Sequence, residues 1–415
     1  MYTPQFIQYV GLLLEQILTL GVTVLLFFYI FRRKKSIPQC AVFCAIIFLN
    51  IFSIDLLRSS DFAVKNDFYE LIKPISFLLY FALGYTTHFS SDETSLFCKW
   101  LMLNFLIISI LGILEATVGS VNSLFSIVYK SFRGALVKKA VFSFISPYCL
   151  ATILTLPFFY FFICFFSFKK LKYLIAFLVC ALSLLLTQSK TVFLGIILSS
   201  GIMIVIVFFS KWIIGRKRIL YTSFFLTIVI VLMFPIMLIF AQKRFAYLYT
   251  GLEVFFNAFS SGSVMKILYA QPTTQLRFEQ LKFAFENQDT IPLIGVAIGK
   301  SVLMPESFYA MYLYRTGLIG IVIHTFMVFF AGRRSFLLAK YHSSRDEKQL
   351  FCFYFSIFIF FISLIFSYFS SAVTDQTRIA FFFYFLIGHL YSIPLTQFFG
   401  KKKLISTNEI TETLE

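Results

Sequence analysis

The sequence predicts an all-α, polytopic transmembrane helix bundle, and three observations predict it: the composition, the length of the apolar runs, and the placement of the basic residues. Of 415 residues, 59% are hydrophobic, 20% aromatic and 13% charged. A soluble domain carries about 25% charged residues, and a single soluble core stops growing beyond roughly 250–300 residues. A hydrocarbon layer about 30 Å thick instead asks for helices of about 20 apolar residues. Such runs recur from end to end. A transmembrane β-barrel would show alternating segments of about 10 residues, which the unbroken apolar run over 146–168 excludes.

Spans are expected near 5–31, 39–57, 68–87, 96–118, 143–168, 171–188, 191–210, 217–241, 308–331, 350–371 and 379–397. That makes about eleven spans of bilayer-crossing length. The first has no basic leader and no small-residue cleavage site, so it reads as a retained span rather than a signal peptide. Between the sixth and seventh, Thr187-Gln188-Ser189-Lys190-Thr191 is the sole interruption. The chain thus divides into spans one to eight over 1–241, a long loop over 242–307, three spans over 308–397 and a polar tail over 398–415.

The net charge is +17, but the basic residues sit at helix ends. Arg32-Arg33-Lys34-Lys35, Lys169-Lys170-Leu171-Lys172, Arg216-Lys217-Arg218 and Lys401-Lys402-Lys403 follow this pattern. These are anchors beside anionic lipid on the cytoplasmic side, and no nucleic-acid partner is expected. Placing them inside puts the amino terminus outside and the carboxyl terminus in the cytoplasm. One short outer loop, 119–142, breaks the charge rule with Lys130, Arg133, Lys138 and Lys139. The seven cysteines (Cys40, Cys44, Cys98, Cys149, Cys164, Cys180 and Cys352) form no CxxC pair, and the four histidines do not cluster. No metal or other cofactor is expected, and the cysteines read as packing residues.

The long loop, predicted to face outward, has structure of its own. Residues 245–259 are aromatic and apolar and suit an interfacial helix. After Pro272, Thr273 or Thr274 can cap a helix whose apolar face is Leu276, Leu281 and Phe285. Gly295 and Gly299 then permit tight turns or close backbone approach.

Charges within a membrane are costly and are functional candidates by default. Asp55 with Arg58, and Asp375 with Arg378, have the spacing of intrahelical ion pairs or of substrate contacts. Glu15 and Glu115 lack a local partner; Glu115 lies near an outer boundary, within reach of water. His324 and His389 each stand alone in a span and suit an interhelical hydrogen bond. Lys190, Arg244, Arg277 and Arg315 gather on the predicted outer face. Arg315, about two turns into its span, should face a polar cavity. Together these cations suit a phosphate group, arginine by its bidentate fork and lysine as a point charge. Glu306, at the mouth of that span, either complements the helix dipole or accepts a proton from a sugar hydroxyl. Tyr309 and Tyr312 suit either an interfacial aromatic belt or stacking on sugar rings.

The segment Thr187-Gln188-Ser189-Lys190-Thr191 before an apolar span resembles a signature of the O-antigen polymerase and ligase superfamily. So does the order Arg277, Pro292-Leu293-Ile294-Gly295-Val296-Ala297-Ile298-Gly299, Glu306-Ser307-Phe308-Tyr309 and Gly317-Leu318-Ile319-Gly320. The resemblance covers residues 185–330. Lys190 stands where the family has arginine, the glycine pair is Gly-x-x-x-Gly rather than Gly-x-Gly, and Glu306-Ser307 replaces the His-Asn pair usual in ligases.

The resemblance therefore implies a metal-independent polysaccharide polymerase with a GT-C-like helical fold in a bacterial cytoplasmic membrane. It would join undecaprenyl-diphosphate-linked oligosaccharides, working in the lipid bilayer beside the chain-length regulator and flippase of its pathway. Arg277, Glu306 and Arg315 would be catalytic, Lys190 and Arg244 would bind diphosphate, and Tyr309, Tyr312 and Arg133 would contact acceptor or sugar. An O-antigen ligase, a flippase or other transporter, and a non-catalytic envelope scaffold are the alternatives.

Overall fold

The computed structural model describes residues 76–87, 89–129, 139–144, 146–217, 219–221, 272–286, 295 and 306–393. The spans expected over 5–31 and 39–57 lie outside them, as do nearly all of 217–241, the helix expected over 245–259 and the tail. Among the described residues the fold is helical, with no strand. The helices are α1 (Ser76–Thr86), α2 (Ser91–Thr117), α3 (Gly119–Tyr129), α4 (Pro147–Phe168), α5 (Leu171–Thr187) and α6 (Lys190–Phe209). After the long loop's α7 (Pro272–Glu286) come α8 (Phe308–Ser344), α9 (Lys348–Ser367) and α10 (Thr377–Ser392). Five of these, α2, α4, α6, α8 and α9, are long and apolar enough to cross a membrane.

Local chemistry sets the ends. Ser90 and Glu93 form a reciprocal capping box that starts α2: the Ser90 hydroxyl accepts from the Glu93 amide at 3.2 Å, and the Glu93 carboxylate accepts from the Ser90 amide at 2.8 Å. Two left-handed residues stop helices without glycine, Lys169 (φ 56°) after α4 and Gln188 (φ 54°) after α5. The interruption expected at Gln188 is therefore a tight turn that folds α5 back into α6.

The chain runs to and fro between two ends of the bundle. At one, the basic end, the Ser343 hydroxyl donates to the Trp212 carbonyl and Gln349 reaches the Ser95 carbonyl at 2.8 Å. Lys169, Lys170, Lys211, Lys217 and Arg345 lie at helix ends there. At the other, the loop end, the Ala140 amide donates to Leu186 (3.0 Å) and the Phe308 amide to Tyr368 (3.0 Å). Helices α4 and α9 pack against each other and against α5, α6 and α8 around them. Phe351, Phe353, Phe355, Phe360, Phe361 and Phe383 are fully enclosed in this core. Helices α1 and α10 cross where Gly84 and Gly388 meet: a Cβ on either would strike a backbone carbonyl of the other helix, Phe385 or Phe81. The described cysteines are buried thiols.

Three boundaries differ from expectation. The helix expected from 143 begins at Pro147, because 139–144 forms a separate buried segment. Helix α7 begins at Pro272 itself, with proline in the first turn where its missing N–H costs nothing, so Thr273 and Thr274 lie inside the helix. Helix α8 continues past 331 to Ser344, since leaving a bilayer is no helix stop and no glycine or proline interrupts 333–344. In that extension Arg334 donates to the carbonyls of Leu390 (2.5 Å), Tyr391 (3.4 Å) and Ile393, closing the carboxyl end of α10.

Candidate functional site

The loop end gathers the polar residues that a membrane helix bundle does not otherwise require. Its outermost part is a clasp between α7 and the start of α8. The Arg277 guanidinium pairs with the Glu306 carboxylate, and its other terminal nitrogen donates to the Gln280 side-chain oxygen at 3.0 Å. Gln280 also accepts from the Ser307 amide at 3.4 Å. Arg277 is mostly covered and Glu306 mostly exposed, at 15% and 66%. Below the pair, Ala284 is fully buried against Leu313 and Tyr314, and Phe283 lies 5.6 Å from the Tyr314 ring. The face of α7 turned to the bundle is thus Arg277, Gln280 and Ala284. Leu276 and Phe285, expected on that face, are 46% and 57% exposed. The small Ala284 lets the helices approach, and the ion pair fixes the rotation.

The second part is a break in α8. Gly317 has φ 65° and ψ −165°, a region essentially closed to other residues, so Phe308–Ser344 is two helices joined at a kink. With about 1.5 Å per residue, the break lies roughly 14 Å below the Phe308 end. Arg315, 3% exposed, sits two residues before it. Gly295 (φ 75°) approaches from the long loop: a Cβ there would lie 2.6 Å from the Arg315 carbonyl and the Gly317 amide nitrogen. The close approach expected of the glycine pair is realised at Gly295, while Gly299 lies outside the described residues. Across the break, Gly320 leaves room for the Thr316 side chain, whose hydroxyl donates to Tyr312 at 2.9 Å.

The third part is a stack of rings under the clasp. Phe308 stacks on Tyr312 (4.1 Å between centroids) and on Tyr368 (4.2 Å). The Tyr368 hydroxyl meets His324 Nε2 at 2.8 Å and accepts from the Thr374 hydroxyl at 3.2 Å. His324 therefore makes the interhelical bond expected of it, and His389 does likewise with the Tyr354 hydroxyl at 3.3 Å. Tyr312 is buried within the stack, and Tyr309 donates its hydroxyl to the Ile365 carbonyl at 2.8 Å. Asp375 closes a short 3-10 turn, Val373–Asp375, bonded back to the clasp through the Ala372 amide and the Glu306 carbonyl (2.9 Å).

The fourth part adjoins the start of α6. Lys190 is its first residue, Thr191 shares a hydrogen bond with Ser370, and Lys139 lies within interaction range of Lys190. Burial pushes the Lys139 ammonium below the usual lysine range. The segment bearing Lys139 is held by Glu115, 2% exposed, whose carboxylate accepts from the amides of Val141 (2.8 Å) and Phe142 (2.5 Å). Glu115 is therefore not a wetted boundary residue: it supplies the acceptor that a strandless, helix-less backbone needs when buried. Likewise Arg378 donates to the Ser143 carbonyl and Gln376 accepts from Cys149 at 2.8 Å, so Arg378 acts across to this segment rather than as a local partner for Asp375 alone.

Of the residues expected at the site, the structure brings Arg277 to Glu306 and places Arg315 and Tyr312 beneath them, with Tyr309 alongside. Arg244 and Arg133 lie outside the described residues. The sequence does not single out Gln280 or Tyr368 as site residues. The four-residue spacing of Gln280 and Ala284 was the available signal for α7's true face. No family model, no curated protein and no solved structure matches the chain.

Proposed function

We propose that this chain is a polysaccharide polymerase of a bacterial cytoplasmic membrane, joining undecaprenyl-diphosphate-linked repeat units on the side where the long loop emerges. The observation that carries the reading is Arg315, buried beside the break in α8, with the Arg277–Glu306 pair above it. A buried cation within an apolar bundle is costly and marks a candidate site. Transfer of a glycan from a lipid diphosphate builds negative charge on the leaving group, and cations fixed beforehand in a low-dielectric site stabilise it. Lys190 and Arg244 fit the same role, and Tyr309, Tyr312 and Arg133 fit acceptor or sugar contacts. The chain-length regulator and flippase of such a pathway are the expected partners.

The test is the glycan profile of a deletion strain carrying wild-type, Arg277→Ala or Arg315→Ala protein. Loss of long chains with single repeat units retained on lipid supports the polymerase. Long chains in both variants remove the site. Unattached long chains after deletion would instead mark a ligase.

A second reading, a transporter of lipid-linked oligosaccharide, is favoured by the break at Gly317, since discontinuous helices near the midplane are common in transporters. Repeat units that fail to reach the outer face of the membrane in the deletion strain would select it.

A further inference from the structure

We propose that the corner where the α4–α5 turn meets the turn after α6 holds the headgroup phosphate of one anionic phospholipid from the surrounding membrane. Nothing in this depends on the polymerase reading. The two turns are joined at Gly215, whose φ is 73° and whose notional Cβ would lie 3.3 Å from the Phe166 carbonyl oxygen and 3.9 Å from Ser167. That contact brings Lys169, Lys170 and Lys172 to the same corner as Lys211 and Lys217, and all five lysines are exposed. The Arg216 guanidinium closes α6 by donating to the carbonyls of Val207 (3.0 Å) and Phe208. Arg216 thus holds the turn, and the lysines supply the charge.

The chain supplies little negative charge to answer them. The sequence holds no Asp or Glu between Glu115 and Glu253. At the basic end Glu93 caps α2, Glu347 meets His342 at 2.6 Å and Asp346 pairs with Lys348 at 3.7 Å. Among the described residues, no ion pair involves any of the five lysines. The adjoining surface suits the rest of a lipid. Leu171, Ile175, Leu178 and Leu182 are exposed on α5 at four- and three-residue steps, which is one stripe. From Leu171 to Leu182 it runs about 16 Å, one leaflet of a hydrocarbon layer about 30 Å thick. Phe208 and Phe209 are exposed close to Lys211 in sequence. Lysine is a compact point charge that meets phosphate without a fixed fork. Several on two joined turns confine a headgroup that a single anchor would only attract.

The experiment is native mass spectrometry of the full-length protein in detergent, titrated with phosphatidylglycerol or phosphatidylcholine. Each lysine beside an anionic lipid contributes about fivefold in affinity, so the wild type should take up one phosphatidylglycerol at least about tenfold more tightly than phosphatidylcholine. Lys169→Gln with Lys211→Gln should weaken that uptake about 25-fold. Lys99→Gln with Lys348→Gln removes the same charge where α2 meets the start of α9. Charges outside the corner are screened, so this pair should stay within about threefold of the wild type. Gly215→Ala keeps every cation but sets a methyl group against the Phe166 carbonyl, and its uptake should fall too. Equal affinity for the two lipids overturns the proposal, and so does an equal loss in both lysine pairs, which would mean diffuse attraction. Displacement of the lipid by inorganic phosphate would give the corner to a soluble anion instead, and wild-type uptake by Gly215→Ala would show that joining the turns is irrelevant. Thermal unfolding in detergent shows which variants are folded. Should Gly215→Ala fail to fold, the two lysine pairs, all at exposed positions, decide the matter.

Discussion

Gly295 and Gly317 meet backbone to backbone, the first in the long loop and the second at the break in α8, with 2.6 Å separating a notional Cβ on Gly295 from the Gly317 nitrogen. Both have positive φ. Each glycine is needed by its own conformation and also by the other's proximity. Gly317→Ala places a side chain in a region that costs about 1–3 kcal/mol even without a clash. Gly295→Ala adds a clash with backbone, which has no rotamer to yield. If the polymerase proposal holds, both variants lose function more than fold: chain elongation should fall at least tenfold with the protein still inserted, as followed by glycan profiles alongside membrane yield.

Glu115→Ala removes the carboxylate that accepts from two buried amides, those of Val141 and Phe142. A buried donor left unsatisfied costs about 1–3 kcal/mol. The variant should melt earlier in detergent, and a cysteine placed at Val141 should gain reactivity toward a water-soluble maleimide. Glu115→Gln, which keeps an acceptor oxygen, should lie between the two.

Tyr368→Phe keeps the ring stacked on Phe308 but deletes the hydroxyl between His324 and Thr374. Two buried polar groups then lose a partner, and a stability loss of about 1–3 kcal/mol is expected. Measured as a thermal midpoint, it should be nearly absent in Tyr368→Phe with His324→Phe and Thr374→Val, where no polar group remains to be stranded.

Glu306→Ala should barely move the unfolding midpoint, because exposed ion pairs contribute about 0–1 kcal/mol. Arg277→Ala should also leave the fold in place. A larger drop in stability for either would mean that the clasp holds α7 to the bundle and does more than orient Arg277.

Five long apolar helices among the described residues were legible because apolar length is written continuously along a chain. Helices α5 and α6 are separated where Gln188 interrupts the apolar run, and His324 and His389 bond across helices as isolated histidines in apolar spans should. The contacts that cross the sequence were not legible. Glu115 reaches residues 26 and 27 positions away, and Arg378 reaches one 235 away; nothing local marks either. The face of α7 misled because Leu276 and Phe285 suggest a core stripe, whereas the small Ala284 and a charged pair decide which side docks. The break at Gly317 was half visible: the glycines were evident, but the close approach of Gly295 to the break was not.

Helix α4 is apolar enough to enter a bilayer by itself, yet 89% of its most apolar window ends up enclosed by protein. Lipid is therefore its solvent only before the bundle closes. Once closed, exchanging oil for side chains gains no hydrophobic energy, so shape and tight contact must hold α4 in place. Its Phe-rich surface, Phe159, Phe161, Phe162 and Phe166 among it, then matters in time as well as in space. A substitution such as Phe162→Leu would pass insertion unnoticed and fail later, when neighbouring helices close around a surface that no longer fits.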